Sequence, residues 1–112
     1  MDFLTIDMVK MHCRVELYDP DPERQAEIDK NIKTQANKAE QEVYAHIGRN
    51  YFDIIKEWGE VPVPIKQAAL ILTSRGLTER PYEDGDIVKM LLRPYKKNRI
   101  TNKIKELWQQ KN

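Results

Sequence analysis

Ile28, Ile32, Ala36, Ala39, Val43 and Ile47 recur at intervals of three and four residues and run up to Gly48. That spacing places all six on one stripe of a single helix of roughly six turns. Alanines at two inward positions let a second helix approach closely, which predicts antiparallel packing against the next long helix. The start is marked as clearly as the stop. Asp21 suits the N-cap, Pro22 the first helical position, and Glu23 faces the positive end of the helix dipole. Gly48 is the left-handed residue that commonly ends a helix.

The rest of the chain follows the same period, and no stretch alternates as a half-buried strand would. A first helix is expected from about Thr5 to Arg14, with Thr5 as cap and Ile6, Val9 and Cys13 on one stripe flanked by Met8 and His12. Residues 49–61 read as an irregular stretch. Pro64 opens a third helix whose face carries Ile65, Ala68, Ala69, Leu72 and Gly76, widened by Leu70, Ile71 and Leu77. A helix that apolar is either central in the core or covered by a neighbouring subunit. Asp84-Gly85-Asp86 starts a short fourth helix, closed by Pro94. Thr101 caps a last one carrying Ile104, Leu107 and Trp108. The expected fold is all-α: a small bundle of four to five helices with one long central helix, spanning 1–96, followed by a basic segment at 97–112.

At 112 residues, 40% hydrophobic and 33% charged, the chain holds one domain with a modest core, so its stability can lean on subunit neighbours. A net charge of +1 excludes the overall basic field of a typical nonspecific nucleic-acid binder. That balance hides an asymmetry. From Arg93 to Asn112 there are seven basic residues and one acid, Glu106, a net of six positive charges, so the first 92 residues carry five negative ones. A basic, partly apolar tail on an acidic body suits docking on an acidic partner or contact with phosphate; a solvated helix with ordinary surface lysines is the plainer reading. No long apolar run or signal peptide is present, so the expected place of synthesis is the cytosol, with no membrane. The single Cys13 has no internal disulfide partner and fits a reducing compartment.

The residues for catalysis are not assembled. His12 and His46, the only histidines, fall on different helices without cysteines or carboxylates at metal-ligand spacing. Adjacent residues on a helix point about 100° apart, so His12 and Cys13 do not form a nucleophile and its base; Cys13 reads as a small buried core residue. No phosphate loop or nucleophile elbow occurs. The acid pairs Asp19 with Asp21 and Asp84 with Asp86 sit at helix starts, where capping accounts for them. No enzyme, metal or cofactor is expected. Tyr44, Tyr51, Phe52 and Trp58 fall together around the end of the long helix, either packing that loop on the core or anchoring a neighbouring subunit. A helix-turn-helix DNA reader fits poorly, because the third helix is too apolar and the second too long to read base edges.

Four stretches, in order, resemble the small head-tail connector, or adaptor, proteins of long-tailed bacteriophages and prophages. Leu4 to Val15 is similar to that family's opening helix, with Lys10, His12 and Arg14 followed by an aliphatic residue. The acidic turn Asp19-Pro20-Asp21-Pro22-Glu23 leads into a long helix ending Ile47-Gly48-Arg49, much as the family's second helix ends near a Gly-Arg. Pro64 to Arg80 resembles a helix that begins at a proline and ends near an arginine. Leu91-Leu92-Arg93-Pro94-Tyr95-Lys96 is similar to a Leu-Leu-x-Pro-Tyr-Arg close. Cys13 departs from a larger aliphatic residue, Gly76-Leu77 stand where an aromatic is expected, and Thr101 to Asn112 extend beyond the matched part.

The resemblance implies a structural virion protein: a homo-oligomeric ring beneath the capsid portal, made in the host cytoplasm and ending at the head-tail junction. DNA would pass through it, and head-completion or tail-terminator proteins would join below. Ring closure needs a heterologous interface, for which Tyr51, Phe52, Trp58, Ile71 and Leu77 are the candidates. Arg93, Lys96, Lys97, Arg99, Lys103 and Trp108 are the candidates for contact with the portal or, transiently and without sequence preference, with passing DNA. The rivals are a helical DNA-binding or regulatory module using the basic tail, and a small enzyme subunit without its own active site.

Overall fold

The long stripe is one helix in the computed structural model, which describes residues 1–13, 17–78 and 85–97. In chain order the elements are α1 (Ile6–Cys13), α2 (Pro22–Ile47), α3 (Tyr51–Trp58), α4 (Val63–Thr78), α5 (Gly85–Leu92) and a 3-10 turn (Arg93–Tyr95). The fold is all-α, and no strand occurs among the described residues.

The chain ends α2 where its capping residues dictate. Asp21 accepts a hydrogen bond from the Glu23 N–H at 3.1 Å, Pro22 sits in the first turn, and Gly48, at φ 67°, donates its N–H to the Tyr44 carbonyl. Thr5 likewise caps α1, its Oγ1 accepting from the Met8 N–H at 3.1 Å. On α2, Ile32, Ala36, Ala39, Val43 and Ile47 are buried, and Ile28 packs half-buried against them.

α4 is the central helix. It packs against α1, α2 and α5, and Ile65, Ala68 and Ala69 are fully buried. Its C-terminal end lies against the middle of α2, where Leu72, Arg75 and Gly76 line a hollow with Gln35, Lys38, Ala39 and Glu42. A side chain at Gly76 would collide with the Gln35 amide, which is the close approach that small inward residues permit. Thr73 is also fully buried, and it donates its hydroxyl to the Ala69 carbonyl at 2.7 Å, so no polar atom is stranded.

Two expectations are corrected. Residues 49–61 are not irregular, because α3 lies within them: Asn50 and Asp53 exchange side-chain and backbone hydrogen bonds in a full capping box, and Gly59 at φ 76° closes the helix. Cys13 is half-buried against the core edge rather than enclosed. As expected, α5 ends at Leu92, just ahead of Pro94, whose fixed φ suits the 3-10 turn that follows. The last expected helix, from Thr101, lies outside the described residues.

Candidate functional site

The C-terminal end of α2 is a junction built around Arg49. Its Nε donates to the Tyr95 carbonyl at 3.1 Å, its guanidinium lies 5.0 Å from the centre of the Trp58 ring, and Nη1 is 3.8 Å from Glu57. Trp58 meets Tyr95 edge to face, with centroids 5.2 Å apart. The Lys97 N–H donates to the Ile47 carbonyl at 2.8 Å, satisfying one of the acceptors that a helix end leaves open. Residues 93–97 are thereby held against the ends of α2 and α3.

The opposite edge of α2 carries a second junction. The buried Glu40 carboxylate accepts from the backbone N–H groups of Asp2, Phe3 and Leu4, at 2.9 to 3.1 Å. Phe3 stacks edge-on against Tyr44, whose hydroxyl donates to Asp2 at 2.8 Å. Burial, and then that bond to Asp2, push the Tyr44 phenol well above its ordinary pKa. At the N-terminal end, Gln25 binds the turn by accepting from the Asp19 N–H and donating to the Leu17 carbonyl and Asp29. Asp29 pairs with Lys10 at 3.0 Å; the Gln25 bond first, then Lys10, hold its carboxyl below the usual range.

The expected interface residues are dispersed. Phe52 is 80% exposed on α3 and touches Tyr51 edge to face at 6.1 Å, while Tyr51 itself is half-buried. Trp58 is taken into the Arg49 junction, and Ile71 and Leu77 lie half-buried against the core. Of the four aromatics around the end of α2, Tyr44, Tyr51 and Trp58 pack half-buried on the core and only Phe52 turns out; Tyr44 pairs with Phe3, Tyr51 with Phe52, and Trp58 with Tyr95. Of the basic candidates, Arg93, Lys96 and Lys97 are exposed, and Arg99, Lys103 and Trp108 lie outside the described residues.

Several surface residues escaped the sequence reading. Met11, Val63, Ile87 and Met90 are large and exposed. On α5, Val88 and Leu92, four apart, turn inward, while Ile87 and Met90, three apart, turn out. Dividing the run from Ile87 to Leu92 by helical period would have separated the two faces. An open hollow of about 690 Å³ between the start of α1 and α2 is lined by Leu4, Ile6, Asp7, Lys10, Asp29 and Lys33 among others, with acid and base in equal number at its rim. Among the described residues no three His, Cys, Asp or Glu side chains gather where a metal ion could sit. No helix among them is long and apolar enough to cross a membrane.

Comparison with models of known families, with curated proteins and with solved structures finds no match for this chain.

Proposed function

We propose that the chain is a structural subunit of the head-tail connector kind, assembling as a ring of identical copies beneath a capsid portal and leaving a passage for DNA. One observation carries the reading. The Gly48-Arg49 pair and the Leu91 to Lys96 close are separate motifs of the resemblance, 46 residues apart in the Arg49 to Tyr95 bond, and that bond joins them in space. The other two resembled stretches supply α1 and α4, which pack on each other and, through α4, on α2 and α5. Exposed apolar side chains at Met11, Phe52, Val63, Ile87 and Met90 also suit a subunit whose surface is covered in an assembly. No reaction belongs to this role. The exposed Arg93, Lys96 and Lys97 are its candidates for portal or phosphate contact.

The test is the mass of the purified protein by light scattering over a concentration series, alone and mixed with the portal encoded nearby. A large discrete ring, or assembly that depends on the portal, is expected. A strict monomer or dimer indifferent to the portal overturns the reading. Duplex binding that weakens steeply with salt would then favour the DNA-binding alternative.

A further inference from the structure

The two ends of α2 carry opposite charge. Around its start, residues 17–27 hold four acids, Asp19, Asp21, Glu23 and Glu27, against one base, Arg24. Arg24 lies 3.8 Å from Asp21, and Glu23 and Glu27, one turn apart, are exposed and form no salt bridge among the described residues. Tyr18, 58% exposed, lies on the Asp29 side instead, with the Lys10 ammonium 5.1 Å from its ring centre. Around its other end, residues 89–97 hold four bases, Lys89, Arg93, Lys96 and Lys97, and no acid. The backbone bond from Lys97 to Ile47 fixes this basic group at the helix end. Of the acids on neighbouring elements, Asp53 is held in the capping box, Glu57 lies by Arg49, and Asp86 precedes Lys89 by three residues on α5. Phe52, 80% exposed, opens the neighbouring helix.

The 26 residues of α2 span roughly 39 Å at about 1.5 Å per residue, so these groups do not meet within one copy. Two different surfaces that complement each other at opposite ends of a subunit define a heterologous contact, the kind that repeats into a ring or a filament.

We infer that two copies of this chain meet head to tail, with Glu23 and Glu27 of one copy against Arg93 and Lys96 of the next. The inference rests on the ring reading above and names the surfaces that close the ring. Exposed charges contribute more to steering and register than to affinity, so the contact is expected to be sensitive to salt.

The test uses the full chain and two charge-reversed variants, Glu23→Lys with Glu27→Lys, basic at both ends, and Arg93→Glu with Lys96→Glu, acidic at both. Circular dichroism first shows that each variant keeps its helix content. Light scattering then follows association with concentration at low and at high salt. The wild type is expected to associate more strongly at low salt, each variant alone to stay monomeric, and an equimolar mixture of the two to associate again. The contact is overturned if either variant associates as the wild type does, if the mixture stays monomeric, or if the wild type is monomeric throughout. A Glu23→Lys, Glu27→Lys variant that still assembles with the portal as the wild type does removes this contact and leaves the ring reading standing. A wild type that neither associates nor binds the portal removes both.

Discussion

Oε2 of Glu40 accepts the backbone N–H of Leu4 at 2.9 Å, joining residues 36 apart in sequence. The same carboxylate takes the N–H groups of Asp2 and Phe3, so three successive amides point at one buried anion. Leu4 is itself buried, and its amide has no water to turn to. In Glu40→Gln the amide nitrogen in place of Oε1 faces the Asp2 N–H donor to donor, and the oxygen left at Oε2 for all three amides no longer carries charge. Hydrogen bonds to a charged group are worth about 1.5–3 kcal/mol and neutral ones about 0.5–1.5, so the change costs about 1–3 kcal/mol. Glu40→Gln is therefore expected to lose that much in urea unfolding, with no change in helix content. A variant as stable as the wild type would mean that water reaches these amides.

Arg49 acts through shape as well as charge. Its planar guanidinium covers Trp58 while Nε reaches the Tyr95 carbonyl. A lysine keeps the charge but has neither the plane nor the fixed donor. Arg49→Lys is expected to be nearly as destabilising as Arg49→Ala, each by about 1–2 kcal/mol, as a stacking contact and a hydrogen bond are lost together. Thermal unfolding of both variants decides it. If lysine restores most of the stability, the salt bridge to Glu57 matters more than the ring and the carbonyl.

Tyr44 sets an alkaline limit. Burial and the bond to Asp2 keep its phenol protonated in the folded protein beyond the usual value of 10.0, whereas the unfolded chain releases the proton near that value. Below it both states are protonated and stability does not depend on this group. Above it the unfolded state binds fewer protons, so stability falls as pH rises. Tyr44→Phe is expected to flatten that fall, which denaturant midpoints between pH 8 and pH 11, roughly bracketing an ordinary tyrosine, would reveal. Equal slopes in the two proteins would refute the assignment.

How far the fold could be read depended on the length of each pattern. The α2 stripe repeats over enough turns that period, cap and stop agree, and Asp21, Pro22 and Gly48 fall where expected. α3 has only eight residues, yet Tyr51, Ile54, Ile55 and Trp58 fall at i, i+3, i+4 and i+7 and all pack on the core, a period short enough to be missed beside Phe52. The caps carried a second signal: Asn50, Asp53 and Gly59 mark a start and a stop by themselves. Glu40 was passed over because a carboxylate is rarely expected inside, although it sits among Ala36, Ala39 and Val43 on the inward stripe. The Arg49 junction was out of reach, since it joins α2 to a turn 46 residues later and no local pattern encodes that meeting. Phe52 illustrates the converse: its exposure follows from which side of a short helix faces the core, which the aromatic cluster in the sequence could not say.

Gly48 tests whether backbone angle or crowding dictates the end of α2. Its φ of 67° lies in the left-handed region, and a Cβ there would sit 3.6 Å from the Lys97 Cβ, an ordinary contact. The angle alone should therefore set the cost. Gly48→Ala is expected to lose about 1–2 kcal/mol, because an L side chain crowds the following carbonyl in that conformation. Gly48→Asn should lose less, since asparagine visits this region more readily. Denaturant unfolding of the pair separates the causes. If the larger asparagine costs more than alanine, contact with Lys97 decides the site, and the docking of residues 93–97 rather than the helix cap is what the glycine protects.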